Sequence, residues 1–145
     1  MSKTPSHKQA NQKTADVVYL VSPSLASVEL NRLFDAAWRE HAWRDFRPVL
    51  DRSLAYVCAY HENGLIGFVN LAWDGGVHSF MLDTTVHPEF QRHGIGRELI
   101  RRAVAEAENR GVTWVHVDFE PHLRCFYELC GFETTAAGLL RLGDG

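Results

Sequence analysis

The stretch that most constrains this chain runs from Val86 to Leu99, VHPEFQRHGIGREL, where a β-like run meets an amphipathic helix through two glycines one residue apart. Upstream, VHSFMLDTTV reads as a strand. Downstream, Ile95, Leu99, Ile100, Ala103, Val104 and Ala107 fall on one helical face, with Arg97, Arg101, Arg102, Glu106 and Glu108 elsewhere. Gly111 closes that helix. The first amides of a helix lack intrahelical acceptors and carry the positive end of its dipole, which favours an anion there. Gly94 and Gly96 let the backbone approach a ligand closely, and Arg92 and Arg97 add charged donors on either side. QRHGIGR is therefore suited to a pyrophosphate, although a short G-x-G by itself is equally compatible with a tight helix start. Two phosphate loops are excluded: there is no G-x-x-x-x-G-K-[ST], and no third glycine completes G-x-G-x-x-G.

The flanking segments set the order of elements. Val17 to Val21 predicts a first strand, and SPSLASVELNRLFDAAW a helix capped by Ser22 with Pro23 at its first position. REHAWRDFRPVL is either a short helix or a loop ending near Pro48. LAYVCAYHENGLIGFVNLAW predicts two strands separated by His61-Glu62-Asn63-Gly64, with Asn-Gly as the turn signal, and Asp74 to Gly76 a second hairpin. VTWVHVDF reads as a strand, Pro121 to Cys130 as a helix closed by Gly131, and the remainder as one or two strands ending in LLRL. A strand, helix, strand succession implies a parallel, right-handed crossover. The order β-α-(α)-β-β-β-α-β-α-β predicts an α+β (mixed α/β) fold with a mostly antiparallel sheet.

A length of 145 residues fits one domain. The polar start, MSKTPSHKQANQKTAD, predicts a disordered tail over residues 1–15, with the domain spanning 16–145. No apolar run is long enough for a bilayer, so no membrane association is expected. A net charge of −3 gives no support to nucleic-acid binding, and Arg97, Arg101, Arg102 and Arg110 are offset by Glu98, Glu106 and Glu108. Cys58, Cys125 and Cys130 show no C-x-x-C spacing, so neither a disulfide framework nor a metal site is expected. A reducing, cytoplasmic setting is the expectation.

VHPEFQRHGIGRELI resembles the acetyl-CoA-binding segment of the GCN5-related N-acetyltransferases, the GNAT superfamily, whose core is [QR]-x-x-G-x-[GA]. Gln91, Gly94 and Gly96 occupy its defining positions. FYELCGF, Phe126 to Phe132, resembles the second signature, [FLA]-Y-x-x-x-G-F, and the two are separated by one helix and one strand as in that family. The resemblance implies a sheet with helices on both faces and two splayed parallel strands. It implies acetyl-CoA as co-substrate, with its pyrophosphate on the backbone of Gln91, Arg92, His93, Gly94, Ile95, Gly96 and Arg97. The pantetheine arm would pair with main chain from about Leu82 through Thr84 and Thr85 to Val86, mimicking a missing strand. The implied reaction is direct acetyl transfer to an amine acceptor, and the alternative is a non-catalytic acyl-CoA-binding module of the same fold.

Three catalytic tasks follow: deprotonating the amine, stabilising the oxyanion and protonating the thiolate. The resemblance assigns the last to Tyr127, whose phenol suits a thiolate of broadly similar basicity. A backbone N–H, that of Val86, would meet the oxyanion. Asp83 is the first candidate base and His116 the second, with Asp118 on the same strand face as His116 and His122 at the next helix. Strand alternation would turn Asp83 away from Leu82 and Thr84. Family acceptor pockets imply Trp38, Trp43 and Asp45 here, together with His41 and Phe46, and with Trp73 nearby. Aromatics with an acid suit an amine with an apolar body. Glu120 stands where many relatives carry asparagine, and a carboxylate cannot donate as an amide does. The segment after Phe132 is short, so the last wall is either reduced or completed by a second copy in a homodimer.

Overall fold

The structure, a computed structural model, describes residues 16–143; the predicted tail over residues 1–15 lies outside them. The elements are β1 (Val18–Val21), α1 (Ser27–Ala37), α2 (Arg47–Asp51), β2 (Ser53–His61), β3 (Gly64–Trp73), β4 (His78–Val86), α3 (Ile95–Asn109), β5 (Trp114–Val117) and α4 (Arg124–Leu129). Short 3-10 turns at Pro88–Phe90 and Pro121–Leu123 precede α3 and α4. The five strands lie in sequence order, antiparallel except for β4 and β5, which run parallel. α3 is the crossover between them.

Period-two alternation sends each strand's side chains to two layers. Val57, Ala59, Val69, Leu71 and Met81 meet Leu99, Ile100, Ala103 and Ala107 of α3, and Tyr127 of α4 joins this core. On the opposite face Cys58 and Phe68 meet Leu30, Leu33 and Phe34 of α1, and Phe46. Fully buried side chains such as Leu99 and Phe34 each contribute roughly 1.5–3 kcal/mol. α1 packs against β3 and the far end of β4, leaving the near end of β4 and β5 open on that face. Phe80 and Leu82 of β4 keep 40% and 38% of their surface exposed, and Trp114 of β5 keeps 62%.

Two local expectations need correction, the start of the first helix and the final strand. The first helix starts at Ser27, not at Pro23: Ser22 continues the β1–β2 ladder, its N–H donating to the Tyr56 carbonyl at 2.7 Å. Glu29 then reaches back to accept the Ala26 N–H at 3.0 Å, which starts the helix without a hydroxyl cap. The first hairpin turns within the expected His61–Gly64 segment: His61 pairs with Gly64, and the central Glu62 and Asn63 have positive φ, at 49° and 64°. No strand follows Phe132 among the described residues, and Leu139, Leu140 and Leu142 are exposed. The uncertain segment around Pro48 resolves into α2, which has that proline in its first turn.

Candidate active site

The site grows from an irregularity in β4. Its pairing with β3 steps from Asn70↔Leu82 to Phe68↔Thr85, so Asp83 and Thr84 together stand opposite Val69. This is a β-bulge, which bends a strand and re-aims its side chains. Asp83 sits in the left-handed region at φ 58°, so simple alternation does not carry through Leu82, Asp83 and Thr84. Beyond the bulge, the His87 N–H donates to the Ile66 carbonyl at 2.7 Å. In an antiparallel ladder this makes Gly67↔Val86 a non-hydrogen-bonded pair, so the N–H and C=O of Val86 point away from β3. The β4–β5 pairing runs from His78↔Trp114 to Met81↔Val117. Among the described residues, no strand pairs with Leu82 to Val86 on that side, and the Val86 N–H faces this opening.

The loop after β4 is fixed at several points. His87 Nδ1 accepts from the Glu89 N–H at 3.2 Å, Phe90 is buried, and Gln91 Nε2 donates to the Val86 carbonyl at 3.1 Å. Arg92 at φ 64° and Gly94 at φ 77° then turn the chain into α3. The α3 ladder begins with Glu98 N–H to Gly94 carbonyl at 3.1 Å, so the amides of Ile95, Gly96 and Arg97 precede it and carry the positive helix end. At Gly96 a Cβ would lie 3.3 Å from the Phe126 ring and 3.6 Å from Val86 Cγ2, which explains the missing side chain by close approach. His93 is half-buried, while Arg92 and Arg97 are exposed. Glu98 binds Arg101 at 2.6 Å and Arg102 at 2.8 Å, and the Arg101 bond foremost holds its carboxyl down at about 2. A cavity of about 310 Å³ lies between the start of α3 and the end of α4, beside Gly94, Arg97, Arg101, Leu129 and Cys130.

Tyr127 is buried, stacked on Phe119 at 4.8 Å and edge-on to Phe126 at 5.0 Å. Burial raises its phenol above the usual value, and the neighbouring Thr84 side chain opposes this. The Asp83 carboxyl touches solvent, yet the protein crowds it enough that desolvation raises it, with the Arg44 charge pulling the other way. Asp83, Thr84 and Val86 thus share the bulged end of β4, with Tyr127 beside Thr84.

The other predicted residues distribute more widely. His116 Nε2 lies 2.8 Å from His78 Nδ1, and its ring stacks on Phe80 at 4.8 Å, on the face opposite to Val115 and Val117. Asp118 lies just past β5, and Glu120 leads into the following 3-10 turn, accepting the Leu123 N–H at 2.9 Å. Trp38 comes to the bulge: its indole N–H donates to Thr85 Oγ1 at 3.1 Å while its ring stacks on Phe34 at 3.9 Å. Trp43 is exposed and bonded to Asp35 at 3.1 Å. Asp45 starts α2 by accepting the Arg47 N–H at 2.9 Å, and also accepts from Ser27 Oγ at 3.2 Å. His41 holds Asn31 at 2.8 Å, and Phe46 is core. Trp73 closes the β3–β4 hairpin by donating to the Gly76 carbonyl at 2.7 Å. Sequence reasoning missed Arg44 beside Asp83 and His78 beside His116; neither pair shares a spacing that a motif would encode.

A family model described as "Acetyltransferase (GNAT) domain" matches residues 52–134. An uncharacterised ycf52-like N-acetyltransferase of Prochlorococcus marinus is 26% identical over 120 residues, which span 79% of this chain and 67% of that protein. Among solved structures, a GNAT-family acetyltransferase from Streptococcus pneumoniae superposes with a TM-score of 0.74 at 22% identity, covering 89% of this chain and 99% of that one. The aminoglycoside N-acetyltransferase AAC(6')-Iy in complex with CoA superposes with a TM-score of 0.68 at 17% identity, covering 88% of this chain and 94% of that one.

Proposed function

The chain belongs to the GNAT acetyltransferase family, and from that premise we propose that it transfers an acetyl group from acetyl-CoA directly to a primary amine within a ternary complex. The observation that carries this reading is the Val86 amide, aimed away from β3 into the opening beside β5 and tied through Gln91 to a glycine-bearing helix start. Such an opening fits an extended amide-containing arm that adds to the free edge of β4. The loop amides and Arg97 at the positive end of α3 fit its pyrophosphate.

The chemistry assigned to the chain's own groups then follows. Asp83, raised by desolvation, accepts a proton from the acceptor's ammonium group. The amine nitrogen attacks the thioester carbonyl carbon while the Val86 N–H supports the developing oxyanion. The C–S bond breaks as Tyr127 gives its proton to the departing thiolate; the second proton lost by the nitrogen restores the Tyr127 phenol, and Asp83 releases its own to solvent. In total an ammonium ion and a thioester become an amide, a thiol and one released proton. The open, partly aromatic surface of Phe80, Leu82 and Trp114 suits an acceptor with an apolar body.

The test is a thermal-shift series with acetyl-CoA, CoA and longer acyl-CoAs, followed by thiol release across a panel of amines. A ligand that binds the folded state alone must raise the melting temperature. A shift with amine-dependent thiol release is the expected result. A shift without turnover would assign the chain to acyl-CoA binding only, and no shift would overturn the proposal.

A further inference from the structure

We propose that Trp38 is a positioning residue for acetyl transfer, holding the bend of β4 through Thr85 rather than lining the acceptor's path. The inference rests on the acyl-transfer reading above and starts from the backbone. Asp83 occupies the left-handed region, which non-glycine residues adopt only under constraint, at the point where pairing with β3 skips a position. A bend of that kind persists only if its surroundings fix it.

Thr85 supplies the fixing. Its side chain is 5% exposed, and its hydroxyl donates to the Asp83 carbonyl at 2.8 Å while accepting the Trp38 indole N–H at 3.1 Å. An indole N–H only donates, and a hydroxyl has one proton. Accepting from Trp38 therefore leaves the Thr85 proton committed to the Asp83 carbonyl, and the relay runs one way from Trp38 to Thr85 to Asp83. Trp38 itself is rigidly held. It follows the last turn of α1, its backbone N–H donates to the Phe34 carbonyl at 2.7 Å, and its ring lies on the buried Phe34 ring.

The neighbouring Thr84 lies beside Tyr127, whose titration it influences. Two adjacent threonines thus connect one bend to helix α1 on one side and to the proposed acid on the other. Releasing the Trp38 end would let Asp83, Thr84 and the Val86 amide shift together, and misplacement of reacting groups by about 1 Å can cost a hundredfold in rate.

Three single variants separate the roles. Trp38→Phe keeps a ring on Phe34 and removes the N–H; Thr85→Val keeps the shape and removes the hydroxyl; Thr85→Ser keeps the hydroxyl. Thiol release from acetyl-CoA is measured with the best amine of the panel, alongside amide hydrogen exchange at residues 83–86 in the ligand-free protein. Trp38→Phe and Thr85→Val are each expected to lower kcat about tenfold, with KM for the amine changed less than about twofold. The double variant falls no further than either single one, because both cut the same relay. Thr85→Ser behaves as wild type, and exchange at residues 83–86 quickens only in the first two. A rise in amine KM at unchanged kcat, or losses that add in the double variant, overturns the inference. Unchanged exchange in both variants overturns the tether itself, whatever the activity. A wild type that neither releases thiol nor gains stability from acetyl-CoA overturns the acyl-transfer reading, and the positioning role with it.

Discussion

Gln91 Nε2 donates to the Val86 carbonyl at 3.1 Å, so the loop proposed to hold a pyrophosphate is fastened to the strand end proposed to meet the thioester. The two ends of the donor site are therefore one mechanical unit. Gln91→Glu keeps the length but sets a carboxylate against that carbonyl and near the phosphates. Its expected effect is a loss of acetyl-CoA affinity of at least about tenfold, equivalent to about 1.4 kcal/mol, with the melting temperature nearly unchanged. Calorimetric titration checks it.

Gly94 and Gly96 serve for different reasons, which substitution separates. At Gly94, φ is 77° and a Cβ would meet nothing within 4 Å, so Gly94→Ala carries only backbone strain of about 1 kcal/mol. Gly94→Asn recovers part of that cost, because asparagine tolerates the left-handed region. At Gly96 the added carbon presses on Phe126, which packs edge-on against Tyr127. Gly96→Ala is thus expected to lower kcat as well as affinity, and Gly94→Asn neither strongly. Denaturant titration and steady-state kinetics distinguish the two.

Tyr127→Phe removes the proposed acid while keeping the ring between Phe119 and Phe126. Turnover is expected to fall roughly a hundredfold or more with acetyl-CoA affinity nearly unchanged, in the range usual for a general acid. Acyl donors with a more acidic thiol, which leaves without help, should lose less. An equal loss for all donors would remove Tyr127 from the proton transfer.

Asp83 gives opposite signs for stability and activity. Its folded carboxyl is raised above the ordinary 3.8, foremost by desolvation, so the unfolded chain releases this proton first as pH rises. Ionised Asp83 therefore opposes folding above that window, and below about 3.8 both states are protonated and the contribution vanishes. Asp83→Asn is expected to raise the melting temperature at neutral pH and not at acid pH. The same variant is expected to lose turnover, together with the acidic limb of kcat/KM expected of the wild type. Parallel melting and pH–rate series test both halves.

The glycine loop, α3 and the FYELCGF helix were readable because each obeys a local rule: helical period, a helix-stopping glycine, a fixed signature spacing. The acceptor side was less readable. Asp45 was expected at the acceptor from the family's pocket placement, whereas its part in starting α2 depends on a bond to the Arg47 N–H that the sequence pattern did not announce. Trp38 was placed near the site, but its partner Thr85 lies 47 residues away, and no pattern in either segment announces that bond. The bulge escaped notice because strand alternation has no symbol for two residues opposite one. The expected final strand failed because LLRL has strand-like composition, whereas pairing depends on tertiary neighbours.

The Glu62-Asn63 turn has a bearing on folding kinetics. It joins β2 and β3 with two intervening residues, so their ladder closes with little loop entropy and can form early. The parallel β4–β5 pair closes only after the whole of α3 has crossed between them. Substitutions at the bulge and along its open edge should therefore leave the folding rate nearly alone and quicken unfolding instead, while changes at Glu62 and Asn63 slow folding. The machinery assigned to chemistry is then the part of the domain that sets how long a folded molecule lasts.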